Sequence, residues 1–119
     1  MSIYELVQRG QFQIKSGATA PSIRYQIAGV GDITSASAWF YARDRATGAT
    51  LVSAPAVIVD GPSGLVQYDW APGDLAQGGI IDAEFGVTFA DGRTLRAPEH
   101  GYIELLVDRA ISATGAATV

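Results

Sequence analysis

The sequence contains no cysteine and no asparagine, and it has a single histidine, His100, and a single lysine, Lys15. Without cysteine there is no disulfide framework, no thiolate metal site and no cysteine nucleophile, so stability has to come from packing. Without asparagine there is neither an N-linked glycosylation acceptor nor an asparagine-dependent catalytic role. Long apolar runs are also missing. The apolar runs, such as Ile103 followed by Leu105, Leu106 and Val107, fall far short of the roughly 20 residues of a transmembrane helix. Residues 1–10 have no basic start and are broken by Glu5, Gln8 and Arg9, so no signal peptide is expected. Basic residues are outnumbered 8 to 12, giving a net charge of −4 that disfavours phosphate backbones and anionic lipid. Neither nucleic acid nor membrane is therefore expected as a partner.

Catalytic constellations lack their parts. His100 stands alone in the turn Pro98-Glu99-His100-Gly101, where a solvated surface group is the ordinary reading. No Gly-x-Ser-x-Gly elbow accompanies it, and nothing in the pattern orients it toward a serine. Gly61-Pro62-Ser63-Gly64 lacks the Lys-Ser/Thr ending of a phosphate loop, and Gly29-Val30-Gly31 lacks a third glycine. Asp82 and Glu84 share one strand face at a spacing of about 7 Å, which an ordinary solvated face also produces. Asp60, Asp69 and Asp74 lie in or near turns and would have to converge through the fold to hold calcium. No catalytic residue, cofactor or metal is expected, and the chain is not expected to be an enzyme.

What is present is alternation. The 119 residues, 48% hydrophobic, suit one globular, soluble domain with a substantial core. Apolar residues recur with period two in short stretches bounded by Gly, Pro, Asp and Ser, the pattern of strands joined by turns. Phe12 and Ile14 mark one strand, and Ile23, Tyr25 and Ile27 another. Residues 36–44 form a third, and residues 51–59 one or two more, interrupted at Pro55, which suits an edge or a sheet switch. In residues 65–70, Val66, Tyr68 and Trp70 take the core face. Residues 71–79 allow one helical turn. Ile81, Ala83, Phe85, Val87 and Phe89 make the longest alternation, as a central strand would. Asp91-Gly92 then signals a hairpin, and Ile103, Leu105 and Val107 point inward in the last strand. About seven or eight strands result, and a two-layer antiparallel β-sandwich follows.

The expected organisation is an N-terminal arm over residues 1–10, a sandwich over 11–109 and a small-residue tail over 110–119. Arms of this kind are disordered unless a neighbour holds them, which makes Ile3, Tyr4, Leu6 and Val7 candidate docking residues. Ser37-Ala38-Trp39-Phe40-Tyr41-Ala42-Arg43 is apolar on both faces. If Ala38, Phe40 and Ala42 face the core, then Trp39 and Tyr41 stand outside as an interaction patch shared with Gly86 and Leu106 and flanked by Tyr102 and Glu104. The opposite orientation, with Trp39 inward, fits the residues equally well.

Residues 38–107 resemble a family of small tailed-phage virion proteins related to the N-terminal domain of the upper baseplate protein. The resemblance is carried in order by Phe40-Tyr41-Ala42-Arg43-Asp44 with Thr47-Gly48, Gly64-Leu65-Val66-Gln67-Tyr68-Asp69-Trp70, Gly73-Asp74, Ala83-Glu84-Phe85 with Val87-Thr88-Phe89, Asp91-Gly92, and Pro98 with Gly101-Tyr102-Ile103. It implies an immunoglobulin-like sandwich that docks on other virion proteins without catalysing. Ile81 stands where relatives tend to carry a tyrosine, so a tyrosine-corner hydrogen bond is not expected there. The expected function is thus a structural component of a tailed bacteriophage particle, in its baseplate or tail, its neck or its head decoration. It would be made in the host bacterial cytoplasm and repeated in several copies by symmetry. The residues expected at its interfaces are Ile3, Tyr4, Leu6, Val7, Trp39, Tyr41, Tyr102 and Leu106. The alternative is a carbohydrate-binding sandwich that uses Trp39, Tyr41 and Tyr102 to stack on host glycans.

Overall fold

The computed structural model describes residues 3–111; of the expected C-terminal tail, residues 112–119 lie outside the described residues. Nine strands form, and there is no α-helix among the described residues. They are β1 (Tyr4–Leu6), β2 (Gln11–Lys15), β3 (Ser22–Gln26), β4 (Ser37–Asp44), β5 (Thr50–Asp60), β6 (Leu65–Tyr68), β7 (Gly79–Thr88), β8 (Thr94–Ala97) and β9 (Ile103–Asp108). One hydrogen-bonded path joins them in the order β1-β3-β6-β5-β4-β7-β9-β2, with β8 attached to β7.

That path folds over on itself because β5 serves both halves. Residues 50–56 pair with β4, and residues 57–60 pair with β6. Pro55 does not end the strand. It lies opposite Trp39, just before β5 leaves the larger sheet for the smaller one, where a missing N–H costs least. The small sheet is therefore β1-β3-β6 with the end of β5, and the large one is the start of β5 with β4, β7, β9, β2 and β8.

Alternation places the core where the sequence puts it. Phe12, Ile23, Ile33, Phe40, Val66, Ile81, Phe85, Val87, Ile103 and Leu105 are all fully buried. Aromatic rings from the two sheets meet at the centre. Phe40 stacks on Tyr68 at 4.6 Å between centroids and packs against Phe85 at 4.9 Å and Trp70 at 5.5 Å. Each large side chain removed from water here contributes roughly 1.5–3 kcal/mol. The longest alternating strand, β7, is central, with β4 on one side and β9 and then β8 on the other. Asp91-Gly92 turns the β7–β8 hairpin, closed by the Phe89 N–H donating to the Arg93 carbonyl at 2.8 Å.

Several expectations need correction. The described residues form nine strands rather than seven or eight, and the sandwich is mixed. β1 runs parallel to β3, and β2 runs parallel to β9. Residues 71–78 form turns and no helix, and Gly79 already begins β7; the turns are fixed by Asp74, whose carboxylate accepts from the Tyr68 hydroxyl at 2.6 Å and the Ala71 N–H at 2.8 Å. Trp70 is buried as its alternation predicts, its indole donating to the Pro21 carbonyl at 2.9 Å, and it is the alternative with Trp39 inward that fails. Ile81 lies in the core, as its place in the alternation predicts, and the phenol that bonds to a loop is Tyr68.

Residues 4–6 of the expected arm are part of the sheet as β1. The chain reaches β2 from β1 through a two-residue turn in which Gln8 and Gln11 exchange backbone hydrogen bonds of 3.4 and 3.0 Å. Both central residues are left-handed, Arg9 at φ 54° and Gly10 at φ 73°. That is the geometry of a type I′ hairpin, which favours Asn or Gly where this chain has Arg9.

Candidate interaction surface

The alternation that buries Phe40 turns Trp39, Tyr41 and Arg43 onto the outer face of the large sheet. Their register partners on β7 are Gly86, Glu84 and Asp82, and Asp82 in turn lies opposite Glu104 of β9. A side chain on Gly86 would meet the Tyr41 ring at 3.2 Å, so glycine there makes room for the phenol. Gly86 and Leu106 do share this outer face, as the pattern predicts. They do not form one patch, because Leu106 pairs with Ile80, six residues and about 20 Å along β7 from Gly86.

Between those two ends lies a band of paired charges. Asp82, only 7% exposed, accepts from Arg45 Nε at 3.0 Å and Nη2 at 2.7 Å, with Arg43 at 3.9 Å. Arg45 also reaches Glu104 at 3.0 Å, and Gln11 donates to the same carboxylate at 3.0 Å. The hydrogen bond to Asp82, above all, holds the Arg45 guanidinium in its charged form to still higher pH than usual. Glu84 pairs with Arg96 at 3.0 Å. Asp82 and Glu84, the two carboxylates that share a strand face, are thus committed to arginines.

An open groove of about 310 Å³ runs over this band, with Tyr41, Arg43, Ser53, Glu84, Arg96 and Tyr102 among its walls. One face of each tyrosine is already covered. Arg96 lies 4.6 Å over Tyr41, and Arg43 lies 4.8 Å over Tyr102. Trp39 is half-exposed beside them, its indole donating to Ser53 Oγ at 3.2 Å. His100 is exposed in its turn, and among the described residues no three His, Cys, Asp or Glu side chains converge as metal ligands would.

The outer face of the small sheet is different. One row crosses all four strands in register: Leu6 of β1, Arg24 of β3, Gln67 of β6 and Val57 of β5. Its centre is polar and satisfied. Arg24 donates to Gln67 at 2.5 Å, Gln67 donates to Asp69 at 2.7 Å, and the Ser22 hydroxyl donates to Asp69 at 2.5 Å. Its two ends are apolar and bare. Tyr4 and Leu6 are 50% and 40% exposed at one end, with the Arg24 guanidinium 3.5 Å over the Tyr4 ring, while Ile3, 63% exposed, precedes β1 and alternates to the other side. Val57 and Val59 stand exposed at the other, close to Pro55 and Trp39.

The eight residues expected at interfaces therefore divide. Tyr4 and Leu6 lie on β1 with exposed Ile3 just before it, while half-buried Val7 packs against the core and donates its N–H to the Arg24 carbonyl. Trp39, Tyr41 and Tyr102 lie at one end of the large sheet and Leu106 at the other. Val57, Val59 and Ile80 are exposed apolar residues that the sequence reading missed. Their signal was faint, because residues 54–59 are apolar on both faces and only the register shows which face is outside.

The chain matches no protein-family model and no curated protein. Among solved structures, it resembles the N-terminal domain of phage TP901-1 ORF48, with a TM-score of 0.60 and 14% identity over 91% of this chain and 99% of that one. It also resembles CopC from Methylosinus trichosporium OB3b, with a TM-score of 0.52 and 18% identity over 84% of this chain and 86% of that one. At these identities the likeness establishes a shared all-β sandwich fold, one that a phage protein also uses.

Proposed function

We propose that this chain is a non-catalytic structural component of a tailed bacteriophage particle, an immunoglobulin-like module present in several copies that docks on neighbouring virion proteins. The observation that carries the reading is the small sheet's outer face, where Tyr4 and Leu6 at one end and Val57 and Val59 at the other remain exposed around a satisfied polar centre. Apolar ends around hydrogen-bonded groups suit a protein interface, since burying them gains about 25 cal/mol per Å² and leaves no polar group stranded. The run of residues shared with small virion proteins supports the phage context, as does the fold shared with a phage protein's N-terminal domain. Baseplate or tail comes before neck and head decoration in this reading, because that run of residues is the one related to the upper baseplate protein.

Stacking on host glycans is the weaker reading, because Arg43 and Arg96 already cover one face of Tyr102 and Tyr41. The test is to purify particles by density gradient from a producing culture and identify their proteins by mass spectrometry. The chain is expected in the particle band at a stoichiometry set by symmetry, and Leu6→Glu with Val57→Glu is expected to leave it in the soluble fraction. If it is absent from intact particles, or if isolated chain binds a glycan array in a manner lost with Trp39→Ala, the reading fails.

A further inference from the structure

β1 is attached to the domain unlike any other strand. It is three residues long, all of its residues are exposed, and it pairs only with the edge of β3, in parallel. Beyond the Arg24–Tyr4 contact and the packing of Val7 on the core just after it, its hold is backbone pairing, extended by Ser22 N–H to the Ile3 carbonyl at 2.9 Å and Val7 N–H to the Arg24 carbonyl at 2.8 Å. What folds it back is the Gln8–Gln11 turn, where Arg9 sits at φ 54° in a conformation that a side chain disfavours.

We infer that β1 is an exchangeable strand, and that copies of this chain associate by lending residues 3–8 to one another. The occupant is a second copy because the acceptor is already built for this segment. The β3 edge, the Arg24 guanidinium and the Ser22 N–H that receive Tyr4–Leu6 within one chain are present in every chain. Exchange therefore recreates each contact between molecules, and the balance rests on the hinge and on concentration. Opening the hinge releases Arg9 from its left-handed conformation, and a short strained hinge is what favours the exchanged form. β1 and β2 lie at opposite ends of the strand path, so no sheet pairing between them has to break beyond the Gln8–Gln11 bridge. The inference stands on this geometry alone, whether or not the chain belongs to a phage particle.

The absence of cysteine makes the test direct. Leu6 and Arg24 are register partners. A Leu6→Cys chain and an Arg24→Cys chain are unfolded together, refolded at high concentration and oxidised, and linked peptides are read by mass spectrometry. A disulfide between position 6 of one chain and position 24 of the other is expected. Arg9→Asn, which suits the closed turn, should lower its yield about fivefold, and Arg9→Pro, which forbids the closed turn, should raise it. Light scattering on the cysteine-free Arg9→Pro chain, with its native Arg24, should give a dimer or larger assembly. A link between positions 6 and 24 that forms only within a doubly substituted chain, together with a monomeric Arg9→Pro protein, would overturn the inference.

Discussion

Phe40 and Trp39 are consecutive residues of one strand, and the structure assigns them opposite fates, so truncating each in turn tests the sandwich and its outer surface together. Phe40 is fully buried, with the rings of Tyr68, Trp70 and Phe85 within 5.5 Å between centroids. Phe40→Ala removes that ring and leaves a cavity that three other rings cannot collapse into, which costs about 3–5 kcal/mol. For a domain of this length that corresponds to a midpoint lowered by roughly 10–20 °C. Trp39→Ala, one residue away, removes a half-exposed indole and one exposed hydrogen bond to Ser53. Its cost should stay within about 1 kcal/mol. Urea titration followed by far-UV circular dichroism measures both, and near-UV dichroism shows whether the aromatic cluster survives in each. Equal costs, or a larger cost for Trp39→Ala, would refute the assignment of faces, and with it the availability of Trp39 to a partner.

Three further outcomes follow from single contacts. Burial first, and then the Asp74 carboxylate, hold the Tyr68 phenol protonated well above the 10.0 of a free tyrosine. Its contribution to stability is therefore complete below about pH 10 and is lost as pH rises further, when only the unfolded chain gives up the proton. Tyr68→Phe should flatten that alkaline loss in urea titrations, and an unchanged slope would show that Tyr68 does not carry it. A methyl group on Gly61 would meet the Thr34 backbone at 2.6 Å, so Gly61→Ala should cost about 1–3 kcal/mol by urea titration, and a neutral result would mean that the loop yields. Asp82→Ala strips the carboxylate shared by Arg43 and Arg45, and a loss of about 1–2 kcal/mol is expected because both arginines can rehydrate. Denaturant unfolding checks it, and a loss above about 4 kcal/mol would indicate arginines deprived of water.

The parts of the fold legible in the sequence are those where one residue type repeats on one face. Ile81, Ala83, Phe85 and Val87, and likewise Ile103, Leu105 and Val107, alternate so strictly that a slip by one residue would expose the whole set. Asp91-Gly92 was legible because it carries its own turn chemistry. β1 was not, since three exposed residues paired with a distant segment have no period to detect. Its turn was hidden because Arg9 occupies a position where Asn or Gly would have been the signal. Parallel pairing of β2 with β9 depends on chain ends meeting across the whole domain. The arginine–carboxylate band needed the register as well. Arg45 lies just beyond β4, and only the pairing of β7 with β4 and β9 brings Asp82 and Glu104 within its reach.

The two outer surfaces would respond differently to salt, and that difference can identify the one that docks. On the large sheet, Arg45, Arg96, Asp82, Glu84 and Glu104 satisfy one another within the chain, so a partner there would have to break or bridge existing pairs. An interface of that kind weakens steeply as ions accumulate, since about 1 M salt shortens the screening length to about 3 Å. On the small sheet, the exposed groups toward the ends of the central row are Tyr4, Leu6, Val57 and Val59, and their burial is driven by water. Salt leaves that driving force intact, while urea weakens it. Particles or complexes containing this chain should therefore keep it through a wash at about 1 M salt and release it in moderate urea. Release by salt alone would transfer the interface to the charged band around Asp82 and leave the apolar ends of the small sheet without a role in docking.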